Sequence, residues 1–169
     1  MEKGTKENIL RIIESQREFF KSGKSLSVTF RKQMLLKLLN SIETNEKEMS
    51  DALWEDLHKS YEEAYLTEIS IVKGEITNHI KHVAGWASRK RRYSPMKLFP
   101  SRSYTVKEPL GCSLIIAPWN YPVQLLLNPL IGAISSGCTA VLKPSPYVPN
   151  VSETIQEMIE ETFEKRYIA

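Results

Sequence analysis

The stretch Cys112-Ser-Leu-Ile-Ile-Ala-Pro-Trp-Asn-Tyr-Pro122, followed by Val123 to Gly137 and by Thr139-Ala-Val-Leu-Lys-Pro-Ser145, decides the fold. Cys112 to Ala117 is a short apolar run, the length of a strand buried on both faces. Pro118-Trp-Asn-Tyr-Pro122 breaks it. Val123 to Ser136 is apolar nearly all round, which predicts a buried helix, and Gly137 is placed to end it. Thr139 to Leu142 reads as a second buried strand, with Lys143-Pro-Ser-Pro146 as the loop behind it. Two such strands joined by one helix require a crossover, and so a parallel pair. Asn150 with Glu153 fits the cap of a last amphipathic helix, Ile155 to Phe163. Tyr167-Ile-Ala169 reads as the start of a further strand.

Before this unit the pattern is helical, from residue 1 to about 92. Ile9, Ile12, Ile13, Phe19 and Phe20 recur near helical spacing with charges between them. Phe30 to Leu39 is a second amphipathic run. Thr44-Asn45, with Glu48, predicts the cap of a third helix whose buried face is Leu53 and Trp54. Ser60-Tyr-Glu-Glu63 fits a capping box. Behind it Tyr65, Leu66, Ile69, Val72, Ile76, Ile80, Val83 and Trp86 form one stripe, the face of a single helix of roughly 25 residues. From Arg89 to Lys107 there are seven basic residues and no acidic ones. Prolines at 95 and 100 exclude one regular element there, while Ser103 to Lys107 alternates like a short strand. Arg89-Lys-Arg-Arg92 admits an anion or nucleic-acid patch. No RNA-binding motif accompanies it, so it is read as a solvated helix terminus facing the negative end of the dipole. The chain thus divides into a helical segment (1–92), a basic linker with a short strand (93–110) and the start of a parallel sheet (111–169).

Of the 169 residues, 41% are hydrophobic and 25% charged, with a net charge of +3. That excludes a disordered chain and does not point to nucleic acid. No apolar run approaches the ~18 residues of a membrane span, and two cysteines cannot frame a disulfide scaffold. The polar start from Met1 to Leu10 predicts no secretory leader. A cytoplasmic setting with no membrane partner is the expectation.

In an open parallel sheet, ligands bind beyond the carboxyl ends of the strands. Ala117 to Tyr121 and Lys143 to Ser145 both lie there, so an amide, two aromatic rings and an ammonium group converge at one edge. Topology leaves a second reading open: Pro118 and Pro122 form a rigid turn, Trp119 packs and Lys143 is solvated. Other motifs are weaker. No Gly-x-Gly occurs. Gly132 and Gly137 have phosphate-loop spacing, but Cys138-Thr139 stands where lysine and serine or threonine belong. His79 and His82, with Glu75 a turn earlier, lack a fourth metal ligand, so no metal is assigned. Cys112 and Cys138 read as inert core thiols, since no histidine lies nearby in sequence.

Glu108-Pro-Leu-Gly-Cys-Ser-Leu-Ile-Ile-Ala-Pro-Trp-Asn-Tyr-Pro122 resembles the segment that opens the cofactor domain of aldehyde dehydrogenases. Asn128 to Gly137 and Val141-Leu-Lys-Pro-Ser145 continue the resemblance in register. Asp56-Leu-His-Lys-Ser60, Glu63-Ala-Tyr-Leu-Thr-Glu-Ile69 and Trp86 ahead of a basic stretch resemble the shorter, class 3-like branch. The resemblance runs from about residue 8 to the last residue. It implies an incomplete α/β fold, an amino-terminal helical segment followed by the first β-α-β-α of a Rossmann-like parallel sheet.

The family oxidises aldehydes to acids with NAD or NADP, by attack of a cysteine thiolate. The resemblance makes Asn120 the oxyanion-hole asparagine. It lays Ile116, Ala117, Pro118 and Trp119 along the dinucleotide, with Lys143 at the adenosine ribose and Ser145 among the cofactor-binding residues. Tyr121 and Gln124 match substrate-tunnel positions. Ser103 to Lys107 resembles a segment near the family's dimer contact, and a homodimer is expected. Pro146 stands where many members have a glutamate that grips the ribose hydroxyls. A carboxylate there would repel a 2′-phosphate, so tolerance of NADP is expected. The family's nucleophilic cysteine and general-base glutamate lie further along than Ala169. Activity is therefore expected of a longer enzyme, and the isolated chain is expected to be inactive. The alternative is a non-catalytic truncated remnant acting as a binding or interaction module.

Overall fold

The computed structural model describes residues 5–169, so the first four residues of the polar start lie outside it. Helix α1 (Lys6–Lys21) is capped by Thr5, whose hydroxyl accepts from the Asn8 N–H at 3.3 Å. Helix α2 (Val28–Thr44) is capped in the same way by Ser27. Helix α3 (Glu46–Leu57) follows Asn45, but the Asn45 side chain donates back to Ser41 O at 2.8 Å and caps nothing. The expected cap at Asn45 is therefore corrected. Leu53 of α3 is fully buried, whereas Trp54, expected beside it in the core, is 52% exposed and lies against His58.

Ser60 caps the next helix through the Glu63 N–H at 3.2 Å, as its sequence predicts. The predicted single long helix is interrupted in register. Helix α4 (Tyr61–Ala64) passes through a π turn (Tyr65–Ile69) into α5 (Ser70–Ala87). A π turn carries one residue more than α spacing allows, so the faces before and after it are offset. Ile69, Val72, Ile76 and Val83 are buried as the stripe requires, but Leu66 points outward and Glu68 is fully buried.

The helical stretch ends at Ala87, not near residue 92. Lys90–Arg92 form strand β1, antiparallel to β2 (Ser103–Thr105), with Arg91 opposite Tyr104. The basic run is thus a hairpin strand instead of a helix terminus. The chain turns back through Pro95 and Pro100. Ser94 Oγ accepts the Ser103 N–H at 2.8 Å, and Arg92 Nε donates to Thr105 Oγ1 at 2.9 Å.

Strand β3 (Cys112–Ile116) and strand β4 (Thr139–Lys143) pair in parallel, from Cys112 opposite Thr139 to Ile116 opposite Lys143. Between them runs α6 (Pro122–Ser136). On the far side of β4, Ile168 bridges Ala140 in parallel, and the Ala169 N–H donates to Ala140 O at 3.0 Å. A third strand therefore begins where the sequence predicted one. The expectation that β3 is buried on both faces is corrected. Ile115 is buried, but Leu114 and Ile116, which alternation places on the other face, are 65% and 64% exposed. Cys112 shares that exposed face and is not a core thiol, while Cys138 is buried as expected.

Helix α6 is the centre of the core. Its Leu126, Leu127, Leu130, Ile131 and Ile134 are fully buried, with α2 and α5 on one side and the strand pair on the other. Each such side chain stabilises the fold by about 1.5–3 kcal/mol. Helix α7 (Pro149–Thr162) begins with a proline and has no cap of its own. Asp56, at the end of α3, supplies it, accepting from the Val151 N–H at 2.8 Å and from Asn150 Nδ2 at 2.7 Å. This replaces the predicted Asn150–Glu153 cap, because a carboxylate from the neighbouring helix already occupies the free amides.

Candidate active site at the carboxyl edge of the sheet

The register that sets Ile116 opposite Lys143 also makes the two strand-end loops neighbours. The Ala117 N–H donates to Lys143 O at 3.1 Å, the last bond before the chains diverge. Ala117 is buried beneath the turn. Pro118, Trp119, Asn120 and Tyr121 rise from it and are exposed. Trp119 is 54% exposed, so the reading in which it packs as part of a rigid turn is not what the loop does. Lys143 is exposed, with its ammonium donating to Pro144 O at 3.3 Å. Ser145 is buried and shapes the loop. Its hydroxyl accepts from the Tyr147 N–H at 3.3 Å, and its carbonyl accepts from Ser152 Oγ at 2.9 Å. Gln124 is half-buried in the first turn of α6.

The loop is anchored from below by two residues that sequence reasoning passed over. Lys59 Nζ donates to Glu68 Oε1 at 2.6 Å and to the main-chain oxygen of Asn120 at 3.0 Å. It also stands over the Tyr121 ring, 4.2 Å from its centroid. The other carboxylate oxygen of Glu68 accepts the Val123 and Gln124 N–H groups at 2.8 and 3.1 Å. Those are the free amides of α6, which starts at a proline and has no cap of its own. Both charges are buried. Taking such a pair out of water costs several kcal/mol per ion, and here both carboxylate oxygens and two of the three ammonium N–H groups are engaged in return, with the Tyr121 ring beside the ammonium. One signal was available: Glu68 falls on the apolar face between Tyr65 and Val72, where a charge needs a partner.

The other chemistry-bearing residues lie elsewhere. His79 bridges α5 and α6, with Nδ1 2.7 Å from Ser135 Oγ and Nε2 2.9 Å from Glu75 Oε1. His82 Nδ1 lies 2.8 Å from Asn78 O. Neither histidine is brought to the sheet edge. No helix among the described residues is long and apolar enough to cross a membrane.

The architecture is therefore the start of a parallel α/β sheet whose exposed groups gather at its carboxyl edge. The aldehyde dehydrogenase family model matches residues 1–166, and the chain belongs to the aldehyde dehydrogenase family. It is 45% identical over 150 residues to the 4,4′-diaponeurosporen-aldehyde dehydrogenase of Staphylococcus aureus, covering 89% of this chain and 33% of that protein. It is 37% identical over 143 residues to human aldehyde dehydrogenase family 3 member B1, covering 85% of this chain and 31% of the relative. The fold matches Staphylococcus aureus AldH in its substrate-bound state with a TM-score of 0.92 at 43% identity, over 95% of this chain and 35% of that one. It also matches a betaine aldehyde dehydrogenase variant from Staphylococcus aureus in complex with NAD+, with a TM-score of 0.82 at 27% identity, over 98% of this chain and 33% of that one. The chain thus spans about a third of the length of these relatives, from the amino-terminal side of the fold. The class 3-like resemblance and the α/β fold class read from the sequence both stand.

Proposed function

We propose that this chain forms the oxyanion-hole and first cofactor-binding part of an enzyme that oxidises an aldehyde to a carboxylic acid with NAD or NADP. The observation that carries the reading is the exposed Asn120 side chain on a loop tied at both ends, beside the Lys143 loop of the adjacent strand. An amide N–H held there can donate to a carbonyl oxygen as negative charge develops on it. The charge arises when a thiolate from a later part of the longer polypeptide attacks the carbonyl carbon. Tyr121 and Gln124, flanking Asn120 at the start of α6, line the approach of the aldehyde. Within this chain the helical segment runs to Ala87, the hairpin-bearing linker reaches residue 110, and the start of the sheet follows from 111.

The residues present fit a dinucleotide. Ile116 offers an open apolar strand face, Trp119 an exposed ring, and Lys143 an exposed ammonium for ribose hydroxyls or phosphate. Ala117 and Pro118 bring the backbone close, and Ser145 holds the Lys143 loop in shape. When bound, the nicotinamide supplies the hydride acceptor. The two free thiols suit a reducing, cytoplasmic setting. The β1–β2 hairpin, with Tyr93, Met96 and Phe99 each more than 80% exposed, suits a homodimer contact.

Absorbance at the reduced-nicotinamide band tests the reading. The complete polypeptide is expected to form NAD(P)H only when an aldehyde is added, and residues 1–169 alone are expected to form none. No aldehyde-dependent signal from the complete polypeptide would refute the function, and turnover by the 169 residues alone would refute the division of labour.

Cofactor choice provides a separate test. Pro146 is exposed and places no carboxylate near Lys143. NADP is therefore expected to bind within about tenfold of NAD, a difference of ~1.4 kcal/mol. A preference for NAD of a hundredfold or more would show that another group repels the 2′-phosphate.

A further inference from the structure

We propose that the buried Lys59–Glu68 pair is a positioning device that sets the aim of the Asn120 amide. The inference rests on the oxyanion reading of Asn120 given above. Neither residue reaches the open edge where an aldehyde would sit. Both are buried, and besides bonding each other they bond the Asn120 carbonyl and the Val123 and Gln124 amides just past Tyr121.

The geometry is specific to that loop. Lys59 lies two residues past the end of α3, and Glu68 lies in the π turn that joins α4 to α5. Two residues on from the outward-facing Leu66, Glu68 faces inward and is fully buried. Such single π turns are frequent at functional positions. From there its two oxygens divide their work. Oε2 fixes the first amides of α6, just after the loop. Oε1 holds the Lys59 ammonium, which fixes the carbonyl of Asn120 itself. A peptide oxygen held at 3.0 Å constrains the plane on which the Asn120 side chain is mounted. The Tyr121 ring under the same ammonium closes the cluster, an arrangement with cation–π character. No bond of the cluster touches the Asn120 side chain, so it sets direction and leaves the amide free to act.

A pair that served stability alone would lower the amount of active enzyme and leave the rate per site unchanged. A positioning pair lowers kcat, because a displacement of an ångström at a reacting group can cost about 10²-fold. The test uses the complete enzyme, with rates referred to titrated cofactor sites. Lys59→Met is expected to lower kcat roughly 10- to 100-fold. KM for the aldehyde and Kd for NAD are expected to move by less than about threefold, since binding contacts are retained. Lys59→Arg is expected to recover most of kcat, because a guanidinium can bond the same carboxylate and carbonyl.

The decisive step is a double-mutant cycle with Asn120→Ala. In the Lys59→Met background, Asn120→Ala is expected to cost at most a tenth of its factor in the parent enzyme, because the amide is already misaimed. Equal factors in both backgrounds overturn the positioning role and leave the oxyanion reading intact. A silent Asn120→Ala in the parent enzyme overturns the oxyanion reading and this inference with it. Should Lys59→Met fail to fold, Glu68→Gln keeps the shape and one acceptor, and it is expected to lower kcat with the same KM pattern. A third measurement needs no variant. Hydrogen exchange in the parent enzyme is expected to be as slow at the Val123 and Gln124 amides as within α6, and fast exchange there overturns the anchor.

Discussion

Asn120→Ala in the complete enzyme is expected to lower kcat by about 10²- to 10³-fold, the usual loss for one oxyanion-hole donor, or ~3–4 kcal/mol. KM for the aldehyde should change little. The reason lies in when the bond strengthens. A neutral carbonyl oxygen accepts weakly from an amide N–H, whereas the oxyanion formed on thiolate attack accepts strongly, so the interaction favours the transition state over bound substrate. The loop geometry is compatible with the proposed role. Its main chain is fixed through Lys59 and the Ala117–Lys143 bond, and the Asn120 side chain stands exposed. Asn120→Asp is a sharper probe, since it keeps size but presents an acceptor in place of a donor. It should be at least as slow as Asn120→Ala at neutral pH. A rise in KM with kcat retained, for either variant, would make Asn120 a binding contact and remove it from the chemistry.

The parts of this fold that were legible in the sequence are those set by local rules. The β3–α6–β4 unit followed from two short apolar runs around an all-apolar helix, and Ser60 from its capping spacing. The carboxyl-edge loops followed from topology alone. What was missed depends on partners distant in sequence. Helices α6 and α7 each begin with a proline and carry no cap, and each borrows a carboxylate from the helical segment, Glu68 for α6 and Asp56 for α7. A local reading supplies Asn150 with a cap because it cannot know that Asp56, 94 residues earlier, is already there. The π turn is invisible to a periodicity count, and Leu66, read as part of the buried stripe, is exposed. Of the hairpin at 90–105, β2 followed from the alternation of Ser103 to Lys107, whereas β1 was misread because its three residues are all basic and show no alternation. At the site the sequence named the exposed groups and missed the buried pair beneath them. Exposed groups are recognised by type, whereas the position of Glu68 on an apolar face signals only that a partner is needed, and the distances identify Lys59 as that partner.

Gly137→Ala is expected to destabilise the protein by roughly 3–5 kcal/mol, combining a backbone cost of about 1–2 kcal/mol with the loss of charged hydrogen bonds worth about 1.5–3 kcal/mol each. Gly137 ends α6 in the left-handed region, with φ 92° and ψ 19°. Its N–H donates to Ile134 O, and the Cys138 N–H donates to Ala133 O, which closes the helix. A Cβ at this position would also lie 2.8–2.9 Å from Nη2, Cζ and Nε of Arg31. That guanidinium cannot step aside freely. Nε donates to Ser25 O at 2.9 Å, Nη2 to Leu26 O at 2.9 Å and Nη1 to Ser135 O at 3.2 Å. Burial already holds its pKa below the ordinary arginine value, so a shift that strands it from these carbonyls is costly. The two terms separate experimentally. In an Arg31→Ala background the clash is gone, and Gly137→Ala should cost only the backbone part, about 1–2 kcal/mol. Urea midpoints of the four proteins measure this. Equal costs in both backgrounds would mean that the guanidinium yields without penalty, and a total below ~1 kcal/mol would mean that the turn itself is not strained. The consequence reaches the site, because the α6 terminus fixes where β4 starts. The register from Thr139 carries through to Lys143, so a slip at Gly137 displaces the ammonium from its place beside the Asn120 loop.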